Sequence, residues 1–130
     1  MSYQIKAAGG VVIDEGKILF IKKNGRWEFP KGRLKKNSKK RDTAIREICE
    51  ETGIQKKYLT TIKTLIPTHN NIKINGRVGV KKTFWFLVEF LGDEKTKLYP
   101  EKKEGITKCK WLTINEASSK IKNSRPWVHY

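Results

Sequence analysis

Three carboxylates, Glu47, Glu50 and Glu51, fall within five consecutive residues of a stretch with helical spacing. At i, i+3 and i+4 they share one helix face within a single turn. Like charges so placed repel one another and make poor structure by themselves. A divalent cation would relieve the repulsion, and hard oxygen ligands suit Mg²⁺ or Mn²⁺. The competing reading is a solvated acidic face with Arg46 and nearby lysines as counter-charges. Spacing alone leaves both readings open.

Immediately upstream the charge reverses. Lys31 to Arg41 holds seven basic residues and no acidic one. Such a segment either extends into solvent or surrounds phosphates. Over the whole chain, 29 basic against 13 acidic residues give a formal net charge of +16. That field favours a polyanionic partner such as a polyphosphate, a nucleotide or RNA. Composition offers a plainer account, because 23 of the basic residues are Lys and six are Arg. Specific forks on phosphates or bases favour Arg, so the charge describes the field more than a nucleic-acid site.

The elements that must position these groups can be read along the 130 residues, which suit one domain, 1–130, with a modest core. Ala44, Ile45, Ile48, Cys49 and Thr52 form the inner face of the acidic helix. Asn37 or Ser38 is placed to cap its start, Asp42 and Arg46 form an i,i+4 pair, and Gly53 reads as its C-cap, with Ile54 packing back. Ile5 to Ile13 and Lys17 to Lys22 read as a hairpin across Asp14-Glu15-Gly16. The small run Ala7-Ala8-Gly9-Gly10 would let another backbone or a ligand approach closely. Trp27 and Phe29 alternate with Glu28 in a short extended piece, and Pro30 opens a loop. Tyr58 to Ile66 reads as a strand, Pro67 to Gly76 as a loop or ribbon turning at Asn75-Gly76, and Thr83 to Phe90 as a central strand covered on both faces. Glu101 and Glu104 lie in a charged loop before a strand over Ile106 to Leu112. The last helix starts near Thr113 or Asn115, with Glu116 placed to cap it and Ala117, Ser118, Ile121 and Ser124 on its quieter face. Pro126 closes it, and Trp127 to Tyr130 form a tail that could dock on the body. Cys49 and Cys109 are expected to fill core space. No apolar stretch is long enough to span a bilayer and the N-terminus has no signal-peptide core, so no membrane partner and a cytoplasmic location are expected.

Gly32 to Ile54 resembles the Nudix hydrolase family. Its pattern is a glycine, five residues, a glutamate, seven residues, then Arg-Glu-aliphatic-x-Glu-Glu-x-Gly-aliphatic. Here the stretch reads G-RLKKN-S-KKRDTAI-REICEETGI. Gly32, Arg46, Glu47, Ile48, Glu50, Glu51, Gly53 and Ile54 match, and Ser38 stands where the pattern has its first glutamate. Trp27 before Pro30-Lys31-Gly32 and the order of later strands extend the resemblance over nearly the whole chain.

The resemblance implies an α/β/α sandwich with a central mixed β-sheet and metal-dependent hydrolysis of a nucleoside polyphosphate. Glu47, Glu50 and Glu51 would hold Mg²⁺ (or Mn²⁺), with a backbone oxygen near Gly32 as a further ligand. Arg46 would orient Glu47 or Glu50, Glu51 could also activate water, and Glu104 or Glu101 could supply a base. Lys31, Arg33, Lys35 and Lys36 would neutralise the polyphosphate, with Arg77, Lys81 and Lys82 as a second phosphate edge. The turn PKG followed by a basic residue resembles diadenosine polyphosphate hydrolases. Inositol pyrophosphate, nucleoside triphosphate and RNA 5′-pyrophosphate hydrolysis are alternatives, as is a noncatalytic polyphosphate- or RNA-binding module suggested by Ser38.

Overall fold

The computed structural model describes residues 3–93 and 95–121. Its centre is a mixed sheet built on β1 (Tyr3–Asp14), β2 (Lys17–Lys23), β3 (Arg26–Glu28), β5 (Leu59–Thr64) and β7 (Arg77–Phe90), in the order β3-β2-β1-β7-β5. β4 (Lys31–Arg33) joins β1, β6 (Thr68–Ile74) joins β7, and β8 (Ile106–Thr113) joins β2. β1 and β7 run parallel from Tyr3↔Gly79 to Ile13↔Glu89, and the other pairings are antiparallel. α1 (Lys40–Thr52) and α2 (Ile114–Ile121) complete the α/β/α arrangement.

Period-two alternation decides which helix each strand residue meets. Ala8, Val12, Leu19, Phe86 and Val88 pack with Ala44, Ile45 and Ile48 of α1. Phe20, next to Leu19, points the other way into a cluster with Trp27, Leu112 and Ala117 of α2. Fully burying side chains of this size contributes about 1.5–3 kcal/mol each. Thr83 to Phe90 is the expected two-faced strand: Phe86 and Val88 serve the α1 side, while Trp85 meets Phe29 edge-on at 5.6 Å and donates from Nε1 to Thr68 Oγ1 at 2.8 Å. The turn at Asn75-Gly76 has positive φ at both residues (51° and 78°), which matches a primed hairpin turn.

Three local expectations are corrected. The chain after Pro30 is not simply a loop, because Lys31–Arg33 pairs with Ala7–Gly9. The small residues admit this second backbone: a Cβ on Gly9 would meet the Pro30 carbonyl and Lys31 Cβ. Neither Asn37 nor Ser38 caps α1. Asn37 takes a left-handed turn (φ 65°), and Lys39 is the N-cap with no side-chain hydrogen bond. Ser118 is exposed rather than sheltered, since Ala117 fills the contact with the sheet. Ser124, Pro126 and the 127–130 tail lie outside the described residues.

The C-terminal end of α1 and the start of α2 follow their sequence signals. Gly53 (φ 78°) closes α1 by donating its N–H to the Cys49 carbonyl, and Ile54 is buried beside it. At α2, the Thr113 N–H donates to Glu116 Oε1 at 2.9 Å and the Glu116 N–H donates to Thr113 Oγ1 at 3.2 Å. The bond from the Thr113 N–H, with the Thr113 hydroxyl beside it, holds the Glu116 carboxyl below its ordinary value. Both cysteines are free and half-buried. Among the described residues no helix is long and apolar enough to cross a membrane.

Candidate active site

α1 presents its three glutamates unequally. Its inner stripe of Ala44, Ile45, Ile48 and Thr52 seats the helix on β1 and β7. Glu51 lies beside that stripe and is only 2% exposed. Glu47 is half-buried and Glu50 is exposed. The helix therefore carries two carboxylates inward and one along its rim.

β4 receives the inner pair. The Lys31 N–H donates to Glu51 Oε1 at 3.2 Å. The Glu47 carboxylate lies directly over Gly32, in space that a Cβ would occupy. Gly32 pairs with Ala8, whose side faces α1, so register aims this position at the helix. The glycine is needed for close approach here, and no unusual backbone angle is involved.

Arg46 links the other carboxylates. Its Nη2 donates to Glu47 Oε2 at 3.3 Å, and its Nε lies 3.6 Å from Glu50 Oε1. It thus bridges an inward and an outward glutamate.

A second wall comes from the loop between β7 and β8. The Tyr99 N–H donates to the Thr52 carbonyl at 2.8 Å and the Glu101 N–H to the Glu51 carbonyl at 3.3 Å, so the loop satisfies exposed carbonyls at the end of α1. Its short 3₁₀ turn, Lys102–Glu104, then brings Glu104 within 3.9 Å of Lys23 Nζ. The Asn24 N–H donates to the Gly105 carbonyl at 3.0 Å and fixes the turn against the end of β2. Glu101, its companion in sequence, caps the 3₁₀ turn by accepting from the Lys103 N–H at 3.2 Å.

Burial and neighbouring charges raise both inward carboxyls. Burial pushes the Glu51 carboxyl up to about 8; Lys23 and Lys31 oppose the rise and Glu47 adds to it. Glu47 is raised chiefly by burial, then by Glu50, with Arg46 opposing and Glu104 adding. The Cys109 thiol donates to the Glu51 carbonyl at 3.5 Å, and burial raises it to about 11, so it is an inert thiol.

The expected phosphate contacts are placed differently from one another. Arg33 and Lys35 are exposed at the end of β4 and in the turn that follows, close in sequence to Gly32. Lys31 is 9% exposed, and its ammonium is bound to Glu28 Oε1 at 3.1 Å. Arg77 stands over the Tyr3 ring at 5.7 Å, near the hairpin tip. Alternation places Arg77 and Lys81 on the sheet side of Thr83 and Trp85, opposite Phe84 and Phe86. Lys82 stays on the α1 side, 5.0 Å from the Phe84 ring, with Lys40 4.1 Å from the same ring.

Lys23 and Glu28 are participants that sequence reading passed over. Lys23 sits at the end of a strand beside the Asn24-Gly25 turn, where a surface lysine is unremarkable. Glu28 alternates with Trp27 and Phe29, a pattern that ordinarily points the carboxylate to water. Instead it is 2% exposed, and its Oε2 has no hydrogen-bond partner. A lysine three residues away was the available signal.

Residues 4–130 match the NUDIX domain. The chain belongs to the Nudix family. It is 27% identical to human nucleoside diphosphate-linked moiety X motif 6 over 96% of this chain and 39% of that protein. It is 28% identical to the RNA pyrophosphohydrolase of Thioalkalivibrio sulfidiphilus over 65% of this chain and 56% of that protein. The Nudix chain thus spans less than two thirds of either curated relative. A Caenorhabditis elegans Ap4A hydrolase structure superposes with a TM-score of 0.69 at 20% identity, covering 96% of this chain and 90% of that one. That likeness concerns the fold.

The donor set is chemically suited to a hard divalent cation. Among the described residues, however, no group of three or more His, Cys, Asp and Glu side chains converges as a ready-made metal cluster. Glu47 and Glu51 approach Lys31 and Gly32 of β4 from α1, while Glu50 stays on the rim with Arg46. Mg²⁺ is commonly held by one or two carboxylates with substrate phosphate supplying further oxygens, so two inward carboxylates fit that mode.

Proposed function

We propose that this Nudix domain hydrolyses a pyrophosphate bond in a nucleoside polyphosphate, with diadenosine polyphosphates as the leading substrates. The observation that carries the reading is the meeting of Glu47 and Glu51 with Lys31 and Gly32 of β4, where two acidic groups lie beside the basic segment. The PKG turn followed by Arg33 favours an extended polyphosphate.

Glu47, Glu51 and, after rotation, Glu50 would hold Mg²⁺ or Mn²⁺, with a backbone oxygen near Gly32. A bound divalent ion would supply neutralisation of phosphate charge and acidification of attacking water. Arg46 keeps Glu47 and Glu50 oriented. Arg33 and Lys35 attract phosphate oxygens outside the carboxylate pair. Lys31 serves the site through its backbone N–H and its ion pair with Glu28. Glu104 accepts the proton as water attacks phosphorus. Arg77 and Lys81 would meet only a substrate long enough to reach the second sheet face.

A substrate panel with product identification, run with and without Mg²⁺, tests the proposal. Metal-dependent cleavage of diadenosine polyphosphates supports it. Folded protein that binds metal yet turns over no member of the panel refutes the enzyme reading. Turnover confined to nucleotide sugars removes the substrate assignment. RNA 5′-pyrophosphate hydrolysis is a second reading, favoured by the +16 charge. It requires cleavage of a triphosphorylated RNA end and affinity that falls with salt.

A further inference from the structure

α1 leaves an open trough on the flank away from its inward glutamates. Arg41, Ile45 and Cys49 follow one another at i, i+4 and i+8 along the helix. Two residues along a helix is a turn of about 200°, so Ile45 and Cys49 face away from Glu47 and Glu51. Across from them runs β5, the last strand of the sheet. Leu59 and Thr61 pair with Phe90 and Val88, which pack towards α1, so these two also point to the helix. Cys49 and Thr61 are both small, and helix and strand stand apart above Leu59. The cavity between them measures about 470 Å³, with Ile45, Cys49, Leu59 and Thr61 inside and Arg41 and Lys56 at its border.

The chemistry of an occupant follows from these walls. The floor is apolar: Ile45 is buried, and half-buried Cys49 and Leu59 form the margin of the core. Covering such surface is favourable in proportion to its area. Arg41 and Lys56 are exposed cations, and among the described residues neither has an ion pair. Arg41 precedes Cys49 by eight residues, about 12 Å along the axis, while Lys56 opens the 3₁₀ turn Lys56–Tyr58 just after the helix. A cation therefore stands towards each end of the apolar floor. Arg46 also borders the trough, but its guanidinium is engaged with Glu47 and Glu50. Asp42, four residues before Arg46, is the acidic member of the lining.

We infer that this trough binds a small organic anion, a carboxylate or phosphate carried on a compact apolar body such as an aromatic ring. The apolar body covers Ile45, Cys49 and Leu59, and the anionic group meets Arg41 or Lys56. A mostly apolar lining with a few polar groups, in a volume of roughly 300–1,000 Å³, is the usual form of a small-ligand site. The floor supplies the driving force and the two cations select an anion over a neutral molecule of the same shape. Binding here needs neither metal nor turnover and goes beyond the hydrolase reading.

The test is a ¹H–¹⁵N NMR titration of the full chain in EDTA at constant ionic strength. The probes are 1-naphthylacetate, 1-naphthyl phosphate, neutral 1-naphthylacetamide, and acetate, which lacks the ring. One or both naphthyl anions should give saturable shifts at the Ile45, Cys49 and Leu59 amides, with nuclear Overhauser contacts from ring protons to the Leu59 methyls. A response to one of them identifies the anionic group. The amide should bind at least about threefold more weakly, and acetate should give no saturable shift. Arg41→Gln combined with Lys56→Gln should bring the naphthyl anions down to the level of the amide and leave the amide unchanged. Thr61→Phe fills the trough with a residue that suits a strand, so it should fold and lose the ring contacts. Absence of saturable shifts with both naphthyl anions overturns the site. Equal affinity for the naphthyl anions and the amide overturns the anion assignment, and an equal response to acetate overturns the role of the apolar floor. Shifts without ring contacts, or contacts that persist in Thr61→Phe, place the probe elsewhere and overturn the trough as its site.

Discussion

Glutamine at position 51 should make the metal-free protein more stable at pH 8 and leave it nearly unchanged at pH 5. Glu51 is 2% exposed, and burial raises its carboxyl from 4.5 to about 8. A group whose folded-state value is raised binds its proton more tightly when folded. Its contribution is fully present below about 4.5 and is lost as pH rises towards about 8. At about 1.4 kcal/mol per pH unit, that interval corresponds to about 5 kcal/mol. Glu51→Gln keeps an oxygen to accept the Lys31 N–H but cannot ionise. The assay is urea unfolding in EDTA at several values between pH 5 and 8, comparing ΔG for the two proteins. The variant should gain on wild type progressively, by up to about 5 kcal/mol. Glu47 is also raised and has the same sign, so the two proteins share the direction of its contribution. Stability curves that run parallel across this window would refute the buried, proton-retaining Glu51. Added Mn²⁺ should narrow the difference at pH 8, because a cation that binds only the folded carboxylate form stabilises wild type by mass action.

Three further outcomes follow from the same contacts. Lys31→Met leaves the Glu28 carboxylate buried without its 3.1 Å partner and should cost about 3–5 kcal/mol in urea unfolding, with Glu28→Gln added to it recovering most of the loss. Gly32→Ala should fold with a loss near the low end of the about 1–3 kcal/mol typical of overpacking, because the end of a flexible glutamate can move aside. Displacing Glu47 should nevertheless weaken Mn²⁺ binding at least about tenfold, measured by calorimetry; unchanged affinity would remove Glu47 from the metal set. Thr113→Ala breaks the 3.2 Å half of the reciprocal cap on α2 and should lower stability by about 1 kcal/mol in the same unfolding assay.

Much of the fold was legible because local chemistry and tertiary packing agreed. Gly53 could be read as the end of α1 since the left-handed cap favours glycine, and it has φ 78°. Asn75-Gly76 similarly announced its hairpin, and alternation assigned both faces of the strand through Trp85 and Phe86. The start of α1 was misread because Asn37 and Ser38 are good caps by type, yet the left-handed turn at Asn37 leaves Lys39 in the capping position.

The sequence by itself determined the acidic helix, its three glutamates at fixed spacing, and the family to which that spacing belongs. Helical periodicity makes those facts local: neighbours in sequence are neighbours on the helix face. Only the tertiary structure decided which glutamates turn inward and what they meet. Glu51 reaches Lys31 across twenty residues of chain, Glu47 rests over Gly32, and Lys23 approaches Glu104 across the end of β2. Those meetings depend on β4 pairing with β1 and on a distant loop bonding the last carbonyls of α1. Burial, too, is collective, which is why Glu28 and Glu51 look like ordinary surface acids in sequence and are enclosed by the folded chain.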